Sequence, residues 1–129
     1  KELRKADNRV RLKRKNPRVF DDFCERFMQH SAQGCAHITR RVMAPRRSLF
    51  GMKKPLQAMK TPAHVIAGDE DPSALDASLF MKQVSPAVQL SVMPATGHLV
   101  NLEEPELFQR LTESFFAEVE AKKWRPRGK

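Results

Sequence analysis

The sequence predicts an α/β fold in which parallel strands are flanked by helices. Three observations predict it: two short apolar runs at 63–67 and 89–93, a helical stripe between them, and a long amphipathic stretch after the second run. Strand, helix, strand, helix is the alternation of a parallel sheet, because parallel neighbours need a crossover rather than a tight turn.

The chain has 129 residues, of which 40% are hydrophobic, with eight Phe, one Trp and no Tyr. That is enough for one modest domain. The apolar content is too high for a disordered chain, and no apolar run approaches the roughly 18 residues of a membrane-spanning helix. A soluble, at least partly globular protein is expected. Cys24 and Cys35 are too few for a disulfide framework and lack C-x-x-C spacing, so a reducing, cytoplasmic setting is expected. Lys1 opens the chain with no apolar targeting segment behind it; no secretory signal is visible, and further chain upstream is expected.

Charge divides the sequence. Residues 1–60 hold 17 Lys or Arg against 5 Asp or Glu, a net of +12, whereas residues 61–129 hold 7 against 10, a net of −3. Residues 1–18 carry nine basic side chains and only Leu3, Val10 and Leu12 as apolar groups longer than Ala. They are expected to form a basic, flexible arm that buries little.

From Val19, the residues Phe20, Phe23, Phe27 and Met28 recur at helical spacing, with Asp21 and Asp22 near the start where the helix dipole favours negative charge. The pattern predicts a helix over Asp21–Gln33 ended by Gly34, a weaker one over Ala36–Met43 stopped before Pro45, and a short helical piece near Pro55–Met59. Residues 19–60 thus form a helical segment. Ala63–Ala67, bounded by Pro62 and Gly68, suits a strand buried on both faces. Leu75, Leu79, Phe80 and Val84 make a helix of Ser73–Val84, Gln89–Met93 is the second strand, and Pro105 opens a last helix whose apolar stripe runs through Leu107, Phe108, Leu111, Phe115 and Val119. Two such strands need neighbours, which an N-terminal half or another chain would supply.

In open parallel sheets the working residues lie just beyond the C-terminal ends of the strands. The first strand runs into Gly68-Asp69-Glu70-Asp71-Pro72 and the second into Pro94-Ala95-Thr96-Gly97-His98. An acid and a histidine on adjacent strand ends can meet. The carboxylate then fixes the imidazole tautomer and leaves the second nitrogen free to take a proton from a nucleophile.

Read as P-x-x-V-I-x-G-x-x-D-P, a helix, then P-x-x-G-H-x-x-x-x-E-x-P-E-x-F, residues 62–116 resemble the C-terminal end of the α/β-hydrolase fold. The resemblance implies that residues 61–129 are the C-terminal part of that core, that 19–60 belong to its cap, and that Glu104–Lys122 is its last helix. It makes Asp71 the triad acid, selected over Asp69 by the register from Gly68, and His98 the triad base. The whole enzyme would hydrolyse an ester or similar small apolar substrate, with His98 activating a serine, or in some branches a water or an aspartate-bound intermediate. No metal or organic cofactor is implied. The nucleophile elbow G-x-S-x-G is absent from these residues, and Ser31 in His30-Ser31-Ala32-Gln33-Gly34 does not replace it. The chain alone is therefore expected to hydrolyse nothing.

Other readings fare less well. Asp69, Asp71 and Ser73 occupy alternate positions, but Ala74 and Phe80 stand where a calcium loop needs Gly and Glu. Cys24, His30, Cys35 and His37 fit no common zinc spacing, and buried thiols with ordinary cap histidines are favoured. Phe20, Phe23, Phe27 and Met28 read as core or lid lining. The second class of function is a non-enzymatic module or relic whose basic cluster, Arg9, Arg11, Lys13, Arg14 and Lys15, binds polyanions or nucleic acid. No aromatic side chain is interleaved there for base stacking, which disfavours specific nucleic-acid recognition. No membrane partner is expected.

Overall fold

The computed structural model describes residues 9–128. Among the described residues the α-helices and strands are helices α1 (Val10–Lys15), α2 (Pro17–Met28), α3 (Ala32–Ile38) and α4 (Lys53–Ala58), strand β1 (Ala63–Gly68), helix α5 (Pro72–Val84), strand β2 (Val88–Met93), and helices α6 (Val100–Glu103) and α7 (Pro105–Glu120), with strand and helix alternating in the second half of the chain as expected. The strands pair in parallel, with Ala63 opposite Val88 and Gly68 opposite Met93. They therefore end level with one another, which brings the loops that follow them side by side.

The N-terminal helices differ from the sequence reading. Val10–Lys15 is helical and Leu12 is 0% exposed, so this part of the expected flexible arm is folded onto the domain. Residues 1–8 of that arm lie outside the described residues. Leu12 finds cover because Phe20 and Cys24 of α2 close over it, joined by Val19, Phe23, Leu99 and Leu102. Four of those six come from α2, and the other two flank the start of α6.

Helix α2 starts at Pro17 rather than Asp21, since Asn16 Oδ1 accepts the Val19 N–H at 3.1 Å and Pro17 fills the first turn, where a missing N–H does no harm. It ends at Met28, before Gly34. Ser31 Oγ accepts the Gly34 N–H at 3.2 Å and so caps a new helix, α3, in which Gly34 is an interior residue. No described glycine has the left-handed backbone that a glycine helix stop uses. The weaker helix expected over Ala36–Met43 is the end of α3 continued by a π-helical turn, Thr39–Met43. The piece near Pro55–Met59 is α4, preceded by a tight turn over Leu49–Met52.

The strands are less buried than continuous apolar runs imply. Val92 is 44% exposed and Ala63–Ile66 are only half-buried, whereas Ala67, Val88 and Met93 are buried. A two-stranded sheet exposes what further strands and their helices would cover. Helix α5 packs on both strands, and Phe115 of α7 meets the His64 ring of β1 at 5.5 Å. Beneath α7 the His64 Nε2 lies 2.9 Å from Ser91 Oγ, while its buried Nδ1 has no hydrogen-bond partner. Among the described residues no helix is long and apolar enough to cross a membrane.

Candidate active site

The level strand ends place Asp71 and His98 together. Asp71 follows β1 by three residues and caps α5; it is 2% exposed. Its Oδ1 accepts the Ser73 hydroxyl at 2.8 Å and lies 3.5 Å from the Ala74 N–H, and its Oδ2 accepts the His98 Nδ1–H. Serving as the cap of α5 fixes the carboxylate on one side, so only Oδ2 is left for the imidazole. His98 has its side chain 44% exposed. With Nδ1 turned to the carboxylate, Nε2 is the nitrogen left to accept a proton.

Two further carboxylates hold the loop that carries His98. Glu103, 6% exposed, takes the Gly97 N–H on Oε2 at 2.8 Å and the Leu99 N–H on Oε1 at 3.3 Å, so it grips the backbone on both sides of the imidazole. Asp69 Oδ1 takes the Thr96 N–H at 3.1 Å, and the Glu70 N–H donates to Thr96 O at 3.0 Å. Asp69 is exposed, and through its bond to the Thr96 N–H it ties the β1 end to the histidine loop. Ala95 turns that loop through left-handed backbone, φ 51°, which costs about 1 kcal/mol for a residue with a Cβ. The E-x-P-E part of the sequence pattern marks Glu103. Nothing in local spacing marks Asp69, whose partner is 27 residues away.

Gly68 explains how the two loops come so close. A Cβ placed there meets Thr96 O at 2.2 Å and Gly97 O at 2.3 Å, so β1 ends directly against the histidine loop. The basic cluster also converges here. Arg11 of α1 pairs with Glu70, and Lys15 pairs with Glu104 and reaches Thr96 Oγ1 at 3.4 Å. Arg9 and Lys13 lie 6.0 Å from the rings of Phe23 and Phe20. Part of the positive charge of the first half thus meets acids on the rim of the second.

Burial pushes the Asp71 carboxyl up, but the hydrogen bonds from His98, Ser73 and the Ala74 N–H, with the attraction of the imidazole, outweigh it and hold Asp71 below the ordinary 3.8. The N–H groups of Thr96 and Ala95 hold Asp69 low as well. Burial, opposed by Glu118, lowers His64 below 6.5. Each of these groups binds its proton more readily when unfolded, so stability rises with pH across its window. As pH falls, stability is expected to drop first below about 6.5, where unfolded His64 protonates while the folded one resists, and again below about 3.8, as the ionised forms of Asp69 and Asp71 are lost. Melting temperature against pH reads both steps, and His64→Phe is expected to flatten the first alone.

The other candidate ligands are scattered. Cys24 is buried in the core and Cys35 is exposed, and His30 Nδ1 donates to Phe27 O at 2.9 Å. Among the described residues no three of His, Cys, Asp and Glu gather as a metal ion requires. Phe20 is core, whereas Phe27 and Met28 are exposed.

No protein-family model matches the chain, and no solved structure matches it. Over 67 residues, 51% of the chain, it is 40% identical to the 2-hydroxymuconate semialdehyde hydrolase of Pseudomonas putida. The matched stretch covers 24% of that relative, so the chain spans about a quarter of its length. Together with the parallel two-stranded sheet and its flanking helices, this identity supports a distant relationship of the chain to the α/β-hydrolases.

Proposed function

We propose that the chain is the C-terminal part of an α/β-hydrolase in which His98 is the general base and Asp71 the acid that orients it. The single observation that carries this reading is the Asp71 Oδ2 to His98 Nδ1 hydrogen bond, made by a buried carboxylate to an imidazole that keeps its other side exposed. An imidazole held in this tautomer takes the proton of an attacking hydroxyl on Nε2 and later returns it to the leaving group, while the carboxylate stabilises the imidazolium formed between. Glu103 and Asp69 keep the loop from drifting, so that Nε2 stays aimed. The nucleophile, the oxyanion hole and the strand beside β1 come from the rest of that hydrolase. Residues 19–60 form part of its cap, and the substrate is an ester or a similar small apolar molecule.

Nitrogen-15 NMR of the imidazoles in the chain tests the pair. In its neutral form His98 is expected to show a protonated, slowly exchanging Nδ1 and a bare Nε2, and Asp71→Asn is expected to abolish that signature. A His98 that samples both tautomers freely in the unmodified chain would contradict the proposal.

A further inference from the structure

Helix α1 carries Arg11, Lys13, Arg14 and Lys15, with no acid in its first turn. So short and so charged a segment does not hold a helix by itself, because nucleation costs more than one turn returns and like charges at this spacing repel. Contacts with the rest of the chain must hold it. Arg11 and Lys15 stand four residues apart and so share a face. Arg11 meets Glu70 as a fork, its Nε and Nη2 donating to the two carboxylate oxygens. Lys15 donates to Glu104, the cap residue of α7, and lies 3.4 Å from Thr96 Oγ1. Leu12, beside Arg11 on the helix, is buried with Phe20, Cys24, Leu99 and Leu102.

These contacts fall beside the Asp71–His98 pair without belonging to it. Glu70 immediately precedes Asp71, Leu99 immediately follows His98, and Thr96 lies two residues before it. One short helix therefore spans the loop of the acid and the loop of the histidine. Asp69 and Glu103 hold those loops from within, through backbone N–H groups. Helix α1 holds them from outside, and it shares its apolar seat with Phe20 and Cys24 of α2, where the 19–60 segment begins. An isolated exposed ion pair contributes little, but a fork, a lysine and a buried leucine on one helix act together, since none can leave without tilting the others. We propose that α1 is a latch across the two loops, with Arg11 and Lys15 as positioning residues that set how Asp71 meets His98. The consequence for turnover rests on the hydrolase reading; the latch is a property of the chain.

Exchange of the His98 Nδ1 proton in the full chain, followed by NMR on the neutral imidazole and compared with the paired amides of β1 and β2, tests the latch. Arg11→Glu is expected to speed that exchange at least about fivefold relative to those amides. Adding Glu70→Arg is expected to recover most of the loss, because the pair re-forms with its charges reversed. Arg11→Lys keeps the charge without the fork and is expected to fall between the parent and Arg11→Glu. Raising the ionic strength from about 0.01 M to about 1 M, which shortens the Debye length from about 30 Å to about 3 Å, is expected to move the parent toward Arg11→Glu. A parent chain that shows the Nδ1 signature, with an exchange rate that Arg11→Glu leaves unchanged, overturns the latch alone. So does a charge-reversed pair that exchanges as fast as Arg11→Glu, or an equal acceleration at His98 and in the sheet, which is a general loss of stability. A parent chain without the Nδ1 signature overturns the hydrolase pair itself, and α1 then has no pair to position.

Discussion

Replacing Gly68 by Ala is expected to destabilise the chain by at least about 3 kcal/mol, well above the typical cost of a single substitution. The added methyl would lie 2.2 Å from Thr96 O, 2.3 Å from Gly97 O and 2.6 Å from Thr96 C. All three are backbone atoms, so no side chain can swing aside. Either the end of β1 or the histidine loop must move, and that loop is held by Glu103 and Asp69. Displacing it also pulls His98 from Asp71. Gly51 is the control, because nothing lies within 4 Å of a Cβ placed there, and its Ala variant is expected to stay within about 0.5 kcal/mol of the parent. Urea unfolding of both variants measures the difference. A loss below about 1 kcal/mol for Gly68→Ala would show that the loops are not packed as described.

Glu103→Ala is expected to cost about 3 kcal/mol, because hydrogen bonds to a charged group contribute about 1.5–3 kcal/mol each and two N–H groups lose their acceptor together. One of them, on Gly97, is buried. Glu103→Gln keeps the shape but offers an NH₂ to one of the two donors, so an intermediate cost is expected. Hydrogen exchange gives the local reading: the Gly97 and Leu99 amides are expected to exchange far faster in the Ala variant, while the paired amides of β1 and β2 change only with global stability. Unchanged protection at both positions would remove Glu103 from its role as the clamp of the loop.

The second half of the fold was legible because its signals are local. Apolar runs bounded by Pro and Gly, the stripe of Leu75, Leu79 and Phe80, and Pro105 at a helix start each bear on their own few residues, and β1, α5, β2 and α7 follow them closely. The first half was less legible because long-range contacts decide it. A lone Leu12 among cations has no local reason to be buried; Phe20, Cys24, Leu99 and Leu102 supply one from elsewhere in the chain. Gly34 looked like a stop until Ser31 outcompeted it as a cap. At the site, Asp71 and His98 stood out by their place after two strands, whereas Asp69 acts through a backbone N–H that spacing does not reveal. The net +12 of the first half also gains a partial explanation, since Arg11 and Lys15 face Glu70 and Glu104.

The most direct test of the central proposal is turnover by the hydrolase of which this chain would form the C-terminal part, compared with its His98→Ala variant. If His98 is the base, turnover falls by about 10⁴-fold or more while the fold survives, because the exposed imidazole contributes little to packing. A His98→Ala enzyme that turns over its substrate within tenfold of the parent would contradict the assignment.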